Sequence, residues 1–99
     1  MKIELFSVKD VLVGFSQPIA CVNEAVALRQ FIGSCRAQQP NICNTFPENK
    51  EFWKLGTLDD ETGELKNDLK FLARASNYVE QSPITTPDVA TKKEEGEER

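Results

Sequence analysis

Residues 52–65 read Phe52-Trp53-Lys54-Leu55-Gly56-Thr57-Leu58-Asp59-Asp60-Glu61-Thr62-Gly63-Glu64-Leu65. Phe52, Trp53, Leu55 and Leu58 are strand-favouring or apolar, the run Asp59 to Gly63 supplies turn chemistry, and Leu65 starts the return. An apolar run, an acidic turn containing glycine and a second apolar run spell a β-hairpin. The rest of the chain is arranged around it.

Upstream, Met1 to Val8 alternates as a first strand, with Ile3, Leu5 and Ser7 on one face and Lys2, Glu4 and Phe6 on the other. Ser7 to Asp10 reads as a turn into a second strand within Val11 to Val22, where Gly14 suggests a bulge or close backbone approach. Pro18 lacks an N–H and puts that segment at a sheet edge. Asn23 is a good N-cap with Glu24 at the positive end of the helix dipole. The helix that follows carries Ala25, Leu28, Ile32 and Cys35 as an apolar stripe, widened by Val22, Val26 and Phe31, and Pro40 ends it. The loop from Pro40 to Lys50 has Ile42 and Phe46 as its expected anchors. Residues 66–81 fit either a short helix or a last strand, with a break near Arg74 to Asn77. The expected fold is α+β: a four-stranded, mainly antiparallel sheet in the order β-β-α-β-β with one helix packed on one face.

Ninety-nine residues make one modest domain. From Ser82 the chain reads SPITTPDVATKKEEGEER, too poor in apolar surface to offset its ordering entropy. The folding unit is therefore expected to be residues 1–81, with 82–99 a disordered acidic tail. The net charge is −4, and the tail's five acids against three bases account for half of it. That balance argues against a nucleic-acid binder working by broad phosphate neutralisation, though it leaves room for a local groove.

Histidine is absent, which removes the usual general base at neutral pH and the commonest metal ligand. Cys21, Cys35 and Cys43 are odd in number and lack paired C-x-x-C spacing, so they read as small buried hydrophobes in a reducing compartment rather than a disulfide framework or zinc site. No Gly-rich phosphate loop or nucleophile elbow is present. The chain is expected to be non-catalytic, without cofactor or metal. Its first apolar run, broken by Lys9 and Asp10, falls far short of the roughly 20 residues that span a bilayer, so no membrane association is expected.

Two clusters could carry function. Asp59, Asp60 and Glu61 could chelate a divalent cation, but they lack the ligand spacing of a calcium loop, and a solvated turn explains them. Lys54, Lys66, Lys70 and Arg74 lie among Phe52, Trp53, Phe71 and Tyr78. Cations interleaved with aromatic rings are what single-stranded nucleic acid binding uses, with bases stacking and cations following phosphates; core packing accounts for most of those rings equally well.

The order of features resembles a known family. MKIELFSVKD, then Pro18, Asn23, Ala27, Arg29 and Phe31, then Pro47 followed by Phe52, Leu55-Gly56, Asp59 and Thr62-Gly63, is similar to the small nonstructural protein of gokushoviruses, single-stranded DNA phages of the microvirus group. The likeness covers about residues 1–65, with L-G-x-x-D-x-x-T-G its most specific part; Pro18-Ile19 departs from the Pro-Phe pair common in relatives. The resemblance implies a nonstructural phage protein of the host cytoplasm, described as DNA-binding and linked to the switch from genome replication to single-stranded DNA synthesis and packaging. On that reading Trp53, Phe52 and Tyr78 stack on bases while Lys54, Lys66, Lys70 and Arg74 meet phosphates, with Arg29 and Arg36, seven residues apart on one helix side, as a second patch. The alternative is a protein-interaction module for the phage replication initiator, the capsid precursor or a host factor. An edge strand bearing Pro18 would also allow homodimer formation.

Overall fold

The Phe52 ring lies between two others, with centroids 5.7 Å from Phe6 and 4.6 Å from Phe31, all three nearly parallel. In the computed structural model, which describes residues 1–79, this stack is the centre of the core. It joins the first strand, the hairpin strand and the helix. Burying one such ring contributes on the order of 2–3 kcal/mol by area.

The strands are β1 (Lys2–Asp10), β2 (Gly14–Phe15), β3 (Ile19–Cys21), β4 (Lys50–Asp59) and β5 (Leu65–Arg74), with one helix, α1 (Glu24–Cys35), between β3 and β4. All pairings are antiparallel, in the order β2-β1-β4-β5, and β3 also pairs with β1. The sheet therefore has five strands, not four. The expected second strand is two short pieces against the same neighbour: Gly14–Phe15 opposite Lys9 and Asp10, and Ile19–Cys21 opposite Glu4 to Phe6. The pieces flank Pro18, which has no N–H to give the ladder.

The hairpin is longer than its turn chemistry alone demanded. β4 and β5 have ten residues each, and the return strand runs to Arg74, which resolves residues 66–74 as strand. A 3₁₀ turn at Ala75–Asn77 is the expected break. In the turn, the Asp59 side chain accepts from the Glu61 and Thr62 amides at 3.0 and 3.4 Å, the Gly63 N–H reaches the Asp59 carbonyl at 2.7 Å, and Gly63 takes φ +78°. That left-handed position is what glycine supplies.

The first turn falls later than expected. β1 continues through Asp10 because β4 pairs with its whole length, from Lys2 opposite Asp59 to Asp10 opposite Lys50. The turn then occupies Val11–Val13, closed by Val13 N–H to Asp10 O at 3.0 Å and Leu12 N–H to Asp10 Oδ1 at 2.9 Å.

Asn23 caps α1, its Oδ1 accepting from Val26 N–H at 2.9 Å. The buried stripe is Ala27, Phe31 and Cys35, with Leu28 packed beside it; Ala25, expected in the stripe, is exposed. The helix stops at Cys35, about a turn before Pro40, and carbonyls on either side of that point find side-chain partners. Asn41 Nδ2 donates to Ser34 O at 2.9 Å and Asn44 Nδ2 to Ala37 O at 3.1 Å. The following loop is not anchored by Ile42 and Phe46, which are both exposed. It is held by buried Cys43 and by the buried ammonium of Lys50, which donates to Ile42 O at 3.0 Å and Thr45 O at 2.7 Å. A lysine that satisfies two loop carbonyls is a fixed strut, and hydropathy marks it as surface. The expected tail, 82–99, lies outside the described residues.

Candidate functional site

Side chains alternate along a strand, so Phe52 and Trp53 point to opposite faces. Phe52 faces α1 and is 1 % exposed. Trp53 lies on the other face of the sheet, and there the strand register assembles a row. Phe15 of β2 stands opposite Lys9 of β1, Lys9 opposite Glu51 of β4, and Glu51 opposite Arg74 of β5. One step along, Trp53 stands opposite Ser7 and Phe71.

Three rings cross this face in contact. Phe15 and Trp53 have centroids 6.1 Å apart at 85°, and Trp53 and Phe71 5.7 Å apart at 80°. The core rings lie face to face and consume one another's faces, whereas this row is perpendicular and leaves ring faces unmatched by a neighbour. Phe15 and Phe71 are 43 % and 46 % exposed. The Lys9 ammonium is 5.4 Å from the centroids of both Phe15 and Trp53. A cation in that position interacts by roughly 0.5–1 kcal/mol at an exposed site. Trp53 is fixed by its indole N–H, which donates to Glu51 Oε1 at 2.9 Å, and Glu51 Oε2 accepts from the Arg74 guanidinium at 3.1 Å. The face thus offers π surface, one cation over the rings and one cation at the row's end held by a carboxylate.

Of the residues expected from sequence, Trp53 and Arg74 belong to this face. Phe52 does not: it is the central ring of the core. Tyr78 is on the helix side, 6.5 Å from Phe31 and perpendicular to it, with the Arg36 guanidinium 5.9 Å from its ring. Lys54 is nearly enclosed, between Glu4 at 3.9 Å and Asp68 at 3.5 Å, and Lys70 pairs with Glu24 at 2.9 Å. Both therefore meet carboxylates already. Lys66 is exposed opposite Thr57, and Arg29 is exposed on α1. These do not gather into one patch. Phe71, seen in sequence only as part of an aromatic set, joins the row, and Phe15, Lys9 and Glu51 were missed. Only a hairpin register could have found them, since a turn at Val11–Val13 is what brings Phe15 opposite Lys9.

The acidic turn is occupied by the chain's own terminus: the Met1 ammonium lies 2.9 Å from Asp60 and 3.7 Å from Glu61. The thiols are unsuited to nucleophilic chemistry. All three cysteines are unpaired and buried; burial, with Cys43 close by, pushes the Cys35 thiol up to about 12, and burial raises Cys43 as well.

The protein is a small α+β domain with its helix and core on one side of a sheet and a partly exposed aromatic row on the other. The chain belongs to the Phage ORF5 protein family, whose model matches residues 3–78, from the first strand through Tyr78. It is a bacteriophage protein. No curated protein matches the chain, and neither does any solved structure. Among the described residues no helix is long and apolar enough to cross a membrane.

Proposed function

We propose that this protein binds single-stranded DNA, without catalysis, on the sheet face opposite its helix. The observation that carries the reading is the row Phe15–Trp53–Phe71 with Lys9 seated over two of its rings. Aromatic side chains exposed on a sheet accept bases of any sequence, each stacked base contributing roughly 1–3 kcal/mol, while neighbouring cations follow the backbone. Trp53, Phe15 and Phe71 are the stacking residues, and Lys9 and Arg74 the phosphate contacts. With so few cations engaged, the net charge of −4 is no obstacle to a short footprint. In a phage of the gokushovirus type, such a protein in the host cytoplasm would cover progeny strands and assist the switch from genome replication to single-stranded DNA synthesis and packaging.

One observation favours a second reading. Lys54, Lys70 and Arg74 all face carboxylates of the same chain. A surface neutralised in this way suits a protein-interaction module that meets the phage replication initiator, the capsid precursor or a host factor through the same aromatic face. Salt separates the two. Anisotropy of a labelled oligonucleotide should report binding that weakens as salt rises, with a slope of log K near −1.4 for two phosphate contacts at about −0.7 each. No binding at low salt would transfer the face to a protein partner.

A further inference from the structure

We infer that the cleft between α1, the β2–β3 segment and the loop at Asn41–Cys43 binds a single adenine base. The cleft has a volume of about 220 Å³. An apolar cavity of about 150 Å³ takes one benzene ring, so this space suits one small fused ring system. Its floor is the buried rings of Phe31 and Phe52, and its walls include Ile19 and Ile42, which are 43 % and 55 % exposed. Two branched aliphatic side chains left in water beside a recess are covered when a ring enters, and the apolar area removed from water favours that entry. Sites for small ligands are built in this way, mostly apolar with a few polar groups that converge.

The polar groups name the occupant. Among the described residues no charged side chain lines the cleft, so a charged ligand would lose its hydration there without a partner. Of the neutral groups, several are already engaged. The Ser7 hydroxyl donates to Ser16 O at 2.7 Å, Asn41 Nδ2 donates to Ser34 O at 2.9 Å, and Asn41 Oδ1 accepts from Cys43 N–H at 2.8 Å. Gln17 and Gln30 stand exposed at the rim, and among the described residues the Gln30 carboxamide is held only by the Cys21 thiol at 3.7 Å. A carboxamide presents an N–H donor beside a carbonyl acceptor, which matches the N7 acceptor and N6 amino donor of adenine in two parallel hydrogen bonds. Guanine shows two acceptors on that edge and leaves the carbonyl without a donor. A neutral flat ring with apolar faces and one such edge satisfies walls and rim together. Because the cleft lies across the sheet from Trp53, the inference stands apart from the reading of the aromatic face.

Two-dimensional NMR of the isotope-labelled full chain titrated with adenosine tests this. Saturable shifts are expected at the amides of Gln17, Gln30 and Ile42, and guanosine should bind about tenfold more weakly. Gln30→Leu, at an exposed helix position, removes the pairing edge but keeps apolar volume; it should weaken adenosine by about tenfold with an unchanged urea midpoint. Ile42→Ala takes away one wall and should weaken adenosine as well. The same amides moved by oligodeoxyadenylate mark the base as one lifted from a strand; moved by adenosine alone, they mark a free nucleoside. Absence of shifts at millimolar adenosine overturns the inference. So do an affinity that both variants leave unchanged, guanosine that binds as tightly as adenosine, or shifts confined to the Trp53 face.

Discussion

Glu51 holds Trp53 in place: one carboxylate oxygen accepts the indole N–H at 2.9 Å, while the other is 3.1 Å from Arg74. The same carboxylate orients the largest ring of the exposed row and neutralises the cation at its end. It tunes the face in two opposed ways.

Glu51→Gln keeps an oxygen for the indole and removes the charge facing Arg74. Arg74 should then meet its phosphate without a competing carboxylate and hold it more strongly. Tighter binding at low salt, measured by anisotropy, checks this. Glu51→Ala should gain less, because Trp53 also loses its orienting partner.

Phe52→Ala should lower stability by about 3–5 kcal/mol, since it empties the middle of the Phe6–Phe52–Phe31 stack. Trp53→Ala, one residue on, should cost less stability and most of the oligonucleotide affinity. Urea denaturation beside anisotropy distinguishes the two neighbours.

Gly56 and Gly33 should respond oppositely to alanine. A methyl at Gly56 would drive into the Lys66 carbonyl of the paired strand, with the Asp68 amide 3.2 Å away. Backbone cannot yield cheaply, so Gly56→Ala should destabilise by about 3 kcal/mol. Gly33 lies within α1 with nothing near a new methyl, and Gly33→Ala should stabilise by up to about 1 kcal/mol. Chemical denaturation midpoints report both.

Alkaline pH should weaken the fold. Burial raises the Cys35 thiol from 9.0 to about 12 and raises Cys43 from 9.0. A folded-state value above the unfolded one means that the stabilisation of the neutral thiol is complete below about pH 9 and declines as pH rises towards 12. Denaturation midpoints should therefore fall between pH 8 and pH 11 by more in the wild type than in Cys35→Ala, compared each with its own value at pH 8. Below pH 9, alkylation of Cys35 and Cys43 by iodoacetamide should be slow and should accelerate only on unfolding.

Local chemistry made much of this fold legible. The Asp59–Gly63 turn, the Asn23 cap and the pattern of two strand segments, a helix and a hairpin were all readable from residue type and spacing. What could not be read depends on strand register. The interruption at Pro18 divided one expected strand into two, and full pairing with β4 moved the first turn beyond Asp10. The site suffered for the same reason. Phe52-Trp53 announces two aromatic rings on opposite faces, but nothing local says which face meets the helix, and Phe15 joins Trp53 only through the cross-strand positions of β2 and β4. Lys54 and Lys70 looked available in sequence because their carboxylate partners, Glu4 and Glu24, are remote along the chain.

Trp53 is the sole tryptophan, so its emission reports directly on the face assigned to DNA. Titrating the full chain with unlabelled oligothymidylate at low salt should quench that emission saturably, as a base stacks against the indole, and Phe71→Ala should weaken the titration by about tenfold. Emission unchanged at oligonucleotide concentrations that saturate an anisotropy titration, or no binding by either measure, would contradict the assignment of this face to single-stranded DNA.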